Sequence, residues 1–148
     1  MRISSVLVVC VGNICRSPLG ERVLASVVPN LRVSSAGLAA VVGHGADETA
    51  ARVAAEAGLD LGSHIARQLT PEIGAAHDLI LVMEPGHRAE IARRMPQLSG
   101  RVMLFDQWTG AKGIADPYRR SEAVHRETRD RIIAAGAAWA ARLSPKAV

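Results

Sequence analysis

A cysteine and an arginine near the amino terminus have the types and the spacing needed for chemistry on phosphate. Cys10 and Arg16 are separated by five residues, and Ser17 and Pro18 follow directly. The arginine guanidinium is a planar fork that binds two phosphate oxygens at once. A cysteine thiolate is a strong nucleophile. Together these residues predict a site that binds a phosphate group and attacks its phosphorus atom.

The five residues between this pair are suited to wrap an anion. A short loop that ends at a helix N-terminus directs successive backbone N–H groups into one concavity, and the helix dipole adds to the attraction. Gly12 permits backbone conformations that are closed to other residues, and Asn13 tolerates the left-handed conformation while its side chain ties the loop together. We therefore expect substrate-binding positions at Val11, Gly12, Asn13, Ile14 and Cys15.

Further side chains would complete a hydrolytic reaction. The Ser17 hydroxyl can donate to the Cys10 thiolate and can help it leave when a phosphocysteine breaks down. An acid must also protonate the departing oxygen, since an unprotonated phenolate departs poorly. Asp116 is the candidate acid, because it lies in the loop after the last predicted strand, a region that emerges at the carboxyl edge of a parallel sheet. Pro117 would stiffen this loop, and Tyr118 would flank the entrance and stack on an aromatic substrate.

The second cysteine, Cys15, has two interpretations. It is either a packing residue of the loop or a thiol that captures oxidised Cys10 as a reversible disulfide. The chain has 2 cysteines in all and no apparent export signal, so both are expected to be reduced thiols. The sequence leaves both roles open.

A buried strand and a helix must hold this loop. The apolar run from residue 6 to Cys10 predicts a fully buried strand. A helix should follow at once, with Ser17 as its N-cap, Pro18 in its first position and Glu21 in its first turn. The loop would then lie between the end of a strand and the start of a helix.

The rest of the chain repeats this alternation of apolar strands and helices. Further strands are predicted over 31–36, 78–83 and 102–105, helices begin after Asp47, Thr70 and Glu84, and a long amphipathic helix covers 121–143. Parallel neighbours need crossover helices, so the pattern predicts an α/β fold with a four-stranded parallel sheet and helices on both faces. Ligands bind at the carboxyl ends of such strands, which places the phosphate-binding loop after the first strand.

Length and composition bound the remaining possibilities. A chain of 148 residues predicts one domain over 1–148. The net charge is +4, but basic residues are scattered and aromatic residues make up 3%, so we do not expect nucleic-acid binding. The first apolar run is too short for a signal peptide or a membrane span, which favours a cytoplasmic protein without stable membrane insertion. The 5 histidines lack the spacing of metal ligands, so no metal is expected.

With these motifs the sequence resembles the low-molecular-weight protein tyrosine phosphatases. Residues 8–18 look like their signature, 34–37 like the end of their second strand, and 116–118 like their general-acid loop, and the resemblance runs in order over about 3–143. It implies a four-stranded parallel sheet, no metal and no organic cofactor. It also implies that Cys10 is the nucleophile, that Arg16 binds and stabilises the phosphoryl group of a phosphotyrosine protein, and that Asp116 is the proton donor.

The finer resemblance is to bacterial members paired with tyrosine autokinases of capsule and exopolysaccharide export. It rests on residues 43–47, 66–68 and 102–105. It implies a cognate autokinase as partner, a role in polysaccharide production, and a monomer or weak homo-oligomer. Two other functions compete with this one. An arsenate reductase would need further cysteines, and none follows Cys15. A non-catalytic phosphopeptide-binding module would have no use for Cys10, Arg16 and Asp116 together.

Overall fold

The fold is described from a computed structural model that covers residues 2–143. The strands are β1 (Ser5–Cys10), β2 (Arg32–Gly37), β3 (Leu79–Val82) and β4 (Val102–Leu104). The helices are α1 (Arg16–Val27), α2 (Glu48–Glu56), α3 (Pro71–Ala75), α4 (Pro85–Arg94) and α5 (Glu122–Leu143), with a 3₁₀ turn over Pro96–Arg101. Within these residues, no helix combines the length and the apolar character needed to cross a bilayer.

The four strands form one parallel sheet in the order β2-β1-β3-β4. This confirms the predicted fold class. Strand β1 lies in the middle, with Cys10 opposite Gly37 of β2 and Val9 opposite Val82 of β3. The carboxyl end of β1 is therefore flanked by the ends of both neighbouring strands.

Alternate side chains of the strands enter two separate apolar cores. Val8 points toward α1 and α5, where it shares a core with Phe105 and Trp139. Leu7 and Val9 point to the opposite face, which α4 covers with Ile91. Because both faces are covered, the strands carry continuous apolar runs rather than an alternating pattern. This burial makes the central strand a rigid support for the loop that follows it.

Two of the predicted side-chain helix caps are present and one is not. The Asp47 carboxylate accepts a hydrogen bond from the Ala50 N–H at 3.0 Å, and the Thr70 hydroxyl accepts one from the Ile73 N–H at 3.1 Å. The prediction of Ser17 as a cap was wrong. Helix α1 begins at Arg16, and its N-cap position is Cys15, which makes no side-chain cap bond.

The start of α1 differs from the prediction because the Ser17 hydroxyl forms hydrogen bonds with the loop and not with the helix end. Ser17 is the second helical residue, and Pro18 is the third rather than the first. No acidic residue lies in the first turn, so Glu21 does not have the position predicted for it. The Ser17 hydroxyl contacts Cys10 and Asn13. The N-terminal N–H groups of α1 are consequently not capped by that side chain.

Candidate active site

A pocket of about 230 Å³ opens at the carboxyl end of β1. It brings together the predicted nucleophile, the predicted phosphate-binding arginine and the predicted acid, which are far apart in sequence. Of the other predicted residues, Asn13 and Ser17 lie behind the loop rather than in the pocket wall. The pocket is lined by Cys10, Val11, Gly12, Ile14, Cys15, Arg16, Ala39, Val41, Asp116 and Tyr118.

The backbone carbonyl groups of the loop after β1 are all held by bonds to the chain outside it. The carbonyl oxygen of Asn13 accepts a bond from Nε2 of His64 at 2.6 Å, which requires that ring nitrogen to carry the proton. The other four bonds come from the segment 38–47. In order, Cys10, Val11, Gly12 and Ile14 accept from the N–H groups of Leu38, Ala39, Val41 and Asp47 at 3.0, 3.0, 3.0 and 2.8 Å.

The N–H groups of the same loop are left without acceptors. Within residues 2–143, no backbone or side-chain acceptor bonds the N–H groups of residues 11–15. Successive free N–H groups at the start of a helix form a concavity with positive potential. The loop can therefore hold a tetrahedral oxyanion with its backbone alone.

Asn13 fixes the shape of the loop. Its φ of 58° is left-handed, as predicted, whereas Gly12 does not have a positive φ, so the conformational freedom expected of Gly12 is supplied by Asn13. The Asn13 amide nitrogen donates to the hydroxyl oxygens of Ser17 at 2.7 Å and Ser35 at 3.0 Å, and its amide oxygen accepts from the Arg67 N–H at 2.9 Å. The bonds on both ends of the amide determine its orientation.

The cysteine at the bottom of the pocket has one side-chain hydrogen-bond partner. Cys10 is 3% exposed, and its Sγ lies 3.0 Å from Oγ of Ser17. Because Ser17 Oγ already accepts a bond from Asn13, its hydroxyl proton is free to point at the sulfur. The arrangement thus offers a hydrogen bond to a Cys10 thiolate.

The arginine of the site is buried and contacts three residues beyond the loop. Arg16 is 1% exposed. Its Nη1 donates to Oε2 of Glu84 at 2.6 Å and to the carbonyl oxygen of Ile114 at 2.7 Å, while Nη2 lies 3.9 Å from Oδ2 of Asp116. The remaining donors of the guanidinium are available to a ligand. Arg16 therefore connects the end of β3 and the segment before Asp116 to the loop.

The predicted acid lies at the mouth of the pocket. The side chain of Asp116 is 50% exposed, and its Oδ1 accepts a bond from the Tyr118 N–H at 3.0 Å. This local bond turns the second oxygen, Oδ2, toward Arg16. Tyr118 is exposed beside it and forms part of the pocket wall. The carboxyl group is therefore placed between the arginine and solvent.

Glu84 is a residue of this site that the sequence analysis missed. It directly follows β3, and the sheet order places the end of β3 next to the end of β1. A polar residue after a buried parallel strand is a signal for the ligand-binding edge, and this signal could have identified Glu84. His87, one turn later, lies with Nε2 3.5 Å from the Glu84 carboxylate. Burial, and then the charge of Arg16, lowers the pKa of His87, which favours the neutral ring.

Cys15 lies close to Cys10 but in a different environment. It is buried in the pocket wall, and burial, followed by the negative charge of Asp47, raises the pKa of its thiol. The neutral thiol is therefore its stable form. Within residues 2–143, no group of three or more His, Cys, Asp or Glu side chains is arranged to hold a metal ion.

Comparison with known proteins gives one consistent result. Residues 5–148 match the model of the family described as low molecular weight phosphotyrosine protein phosphatase. The chain belongs to this family. Family membership confirms the resemblance inferred from the sequence and the enzyme class that it implied.

Members of the family with high similarity come from bacteria. The low molecular weight protein-tyrosine-phosphatase Etp of Escherichia coli K12 is 46% identical over 144 residues, which cover 97% of each chain. The solved structure of Vibrio vulnificus Wzb in complex with benzylphosphonate is 46% identical, covers 95% of this chain and 99% of that one, and has a TM-score of 0.93. The structure of the arginine phosphatase YwlE from Geobacillus stearothermophilus is 32% identical, covers 95% and 92%, and has a TM-score of 0.88.

Proposed function

We propose that this phosphatase hydrolyses phosphotyrosine in proteins through a phosphocysteine on Cys10, with Arg16 stabilising the phosphoryl group and Asp116 acting as acid and then base. The main support is the loop of residues 11–15, whose carbonyl oxygens are bonded away from the pocket and whose N–H groups are free. Such a loop favours a phosphoryl group directly above the Cys10 sulfur. Asn13 and Ser17 order the loop and the thiolate.

The proposed reaction has two steps. In the first, the Cys10 thiolate attacks phosphorus, an S–P bond forms, and the bond from phosphorus to the tyrosine oxygen breaks as Asp116 delivers its proton to that oxygen. In the second, Asp116 removes a proton from water, the water oxygen attacks phosphorus, and the S–P bond breaks to release inorganic phosphate. Arg16 and the loop N–H groups stabilise the charge on the equatorial oxygens in both steps.

The walls of the pocket suit an aromatic leaving group. Val11, Ile14 and Val41 supply apolar surface, and Tyr118 supplies an aromatic ring. A phenyl ring can pack between these side chains after its phosphate has entered the loop. A relative has been solved with benzylphosphonate, a phosphonate on an aromatic group. These features favour phosphotyrosine over the phosphoesters of serine and threonine.

We also propose that the physiological substrate is a bacterial tyrosine autokinase involved in polysaccharide production, which this phosphatase meets in the cytoplasm. The support is the similarity to Etp and Wzb, together with the resemblance to autokinase-paired phosphatases. A Cys10→Ser or Asp116→Ala variant should trap this substrate from the lysate of the host, where mass spectrometry would identify it. The matched control is a variant that also carries Arg16→Ala, which should trap nothing. Equal recovery with both would contradict a phosphate-dependent complex.

Hydrolysis of para-nitrophenyl phosphate tests the nucleophile and the arginine. Cys10→Ser should lose all turnover, and Arg16→Ala should lose several orders of magnitude. Normal turnover by either variant would overturn the mechanism. An acid role for Asp116 predicts that Asp116→Asn loses about 10²- to 10⁴-fold in kcat with poor leaving groups and less with good ones. An equal loss across a series of aryl phosphates would remove Asp116 as the acid.

Substrate class is tested with three compounds assayed side by side. The proposal expects turnover of a phosphotyrosine peptide, much slower turnover of a phosphoarginine peptide, and no arsenate reduction with a thiol reductant. Phosphoarginine is included because YwlE is an arginine phosphatase. A higher kcat/KM for phosphoarginine than for phosphotyrosine would replace the proposed substrate while leaving the Cys10 chemistry in place.

A further inference from the structure

The turn that follows the acid has a strained residue at its tip. The N–H of Arg120 donates to the carbonyl oxygen of Pro117 at 2.8 Å, which closes a four-residue turn, and Arg119 has a φ of 62°. A positive φ at the third residue of a turn is the position where glycine is favoured. An arginine in this conformation costs on the order of 1 kcal/mol. Strain of this kind is retained mainly where it serves a site.

The strained conformation carries a positive charge to the mouth of the pocket. The guanidinium carbon of Arg119 lies 5.3 Å from the centre of the Tyr118 ring, within the range of a cation–π contact. Tyr118 itself lines the pocket. The turn therefore places the guanidinium against the residue that would contact the substrate ring.

This charge has no carboxylate partner within the described chain. Across residues 2–143, no Asp or Glu oxygen lies within ion-pair distance of Arg119 or Arg120. Arg16 of the pocket, by contrast, forms an ion pair with Glu84. Arg119 therefore presents an unpaired positive charge to a ligand at the mouth of the pocket.

The size of the pocket indicates which part of a protein substrate must lie outside it, at its mouth. A volume of about 230 Å³ accommodates a phosphoryl group and a phenyl ring, so the residues beside the phosphotyrosine must lie outside it. Those residues lie near the exposed side chains that line the pocket, Val41 and Tyr118, and Tyr118 carries the Arg119 guanidinium against its ring.

We propose that Arg119 is a specificity-determining residue that binds an acidic side chain next to the phosphotyrosine of the protein substrate. This inference rests on the proposed function, because it concerns which phosphotyrosine segments the same site accepts. Exposed ion pairs are weak, so one acidic neighbour should raise kcat/KM by about two- to fivefold. The preference should disappear at about 0.5 M salt, where exposed charges are screened.

The test compares phosphotyrosine peptides that differ only in the residues flanking the phosphotyrosine, with Asp in one and Ala in the other. The measured quantity is the ratio of the two kcat/KM values. In the wild type it should be about two to five, in Arg119→Gln it should fall to about one, and in Arg119→Glu it should fall below one. The matched control is Arg120→Gln, which removes the same charge from the next residue and should keep the wild-type ratio.

The outcomes separate this inference from the proposed function. A wild-type ratio of one, or an equal fall in Arg119→Gln and Arg120→Gln, overturns the role of Arg119 while peptide hydrolysis itself still supports phosphotyrosine as substrate. If neither peptide is hydrolysed although para-nitrophenyl phosphate is, the proposed protein substrate fails, and the inference fails with it.

Discussion

Arg16 has a structural role in addition to the phosphate binding proposed for it. Its guanidinium joins the loop after β1, the end of β3 through Glu84, and the segment leading to Asp116 through the carbonyl oxygen of Ile114. One side chain thus fixes the relative positions of Cys10 and Asp116. Substituting Arg16 should consequently disturb the positions of Cys10 and Asp116 as well as remove a charge. The loss of activity in such a variant would therefore overstate the contribution of phosphate binding.

Removing Glu84 should therefore impair catalysis without touching the substrate contacts. In Glu84→Ala, Nη1 of Arg16 loses its 2.6 Å partner, and the buried guanidinium is free to turn away from the loop. Misplacement of a catalytic group by about 1 Å can cost about 10²-fold, so we expect kcat/KM for para-nitrophenyl phosphate to fall by roughly tenfold to a hundredfold. Glu84→Gln keeps an acceptor and should lose less. Equal losses in both variants would indicate that charge, and not position, is what Glu84 supplies.

The Cys15 thiol should be unreactive in the folded protein. Its pKa is raised by burial, so the thiolate needed for alkylation forms only far above neutral pH. A Cys10→Ser variant, which leaves Cys15 as the single thiol, should therefore resist iodoacetamide at about pH 8 and be labelled rapidly in urea. Mass spectrometry measures both rates.

Rapid labelling of the native Cys10→Ser variant would contradict this prediction. Slow labelling favours the packing role of Cys15, because a resolving thiol must also react as a thiolate. Peroxide treatment gives a second readout. If Cys15 protects Cys10, the wild type should recover activity with reductant better than Cys15→Ser, whereas a packing role predicts equal recovery.

Among the elements, the end of β2 carries a close contact that supports the loop. A Cβ on Gly37 would overlap the carbonyl oxygen of Val11, whose orientation keeps the loop N–H groups in the pocket. Gly37→Ala should therefore reduce kcat/KM by tenfold or more, because the backbone of Val11 must move. Gly100→Ala is the matched control, since a Cβ there meets nothing within 4 Å. Steady-state kinetics with para-nitrophenyl phosphate checks both, and equal activity of the two variants would contradict this role.

The elements also show which features can be predicted from sequence. Strand β1 and the parallel sheet follow from continuous apolar runs, a signal that burial on both faces makes unambiguous. The prediction of Ser17 as an N-cap was wrong because the rules for helix caps consider only neighbouring residues. They do not include a competing hydrogen-bond partner from the preceding strand, which here is the Cys10 sulfur. Glu84 was missed because its role depends on a strand neighbour about 70 residues away in sequence. Such long-range neighbours follow from sheet order, which the sequence did not specify.

At the scale of the whole molecule, an ion-pair cluster fastens α2 to α5. The Glu56 carboxylate accepts bonds from Nε and Nη2 of Arg126, both at 2.9 Å, and from Nη1 of Arg129 at 3.0 Å. These hydrogen bonds, that of Arg126 first, lower the pKa of Glu56 to about 2. The cluster connects the helix that begins after the 38–47 segment to the long helix that packs on α1.

Stability should therefore depend on pH through Glu56. Because its pKa is lower in the folded state, its contribution is fully present above the unfolded value of about 4.5 and is lost as the pH falls toward about 2. The urea midpoint of the wild type should fall more steeply over this range than that of Glu56→Gln. Glu127→Gln, which removes an exposed carboxylate with a single arginine partner, is the control and should keep the wild-type slope. Parallel curves for wild type and Glu56→Gln would contradict the prediction.

The bond between the Val41 N–H and the carbonyl oxygen of Gly12 constrains how this enzyme can evolve. The backbone of 38–47 holds the loop of residues 11–15, while the side chains of Ala39 and Val41 from the same segment line the pocket. Replacing the side chain at Ala39 or Val41 should alter substrate preference and leave those bonds intact. An insertion or deletion between residues 38 and 47 would shift the donors out of register with their carbonyl groups. New specificities in this lineage should therefore arise by point substitution in this segment and rarely by changes in its length.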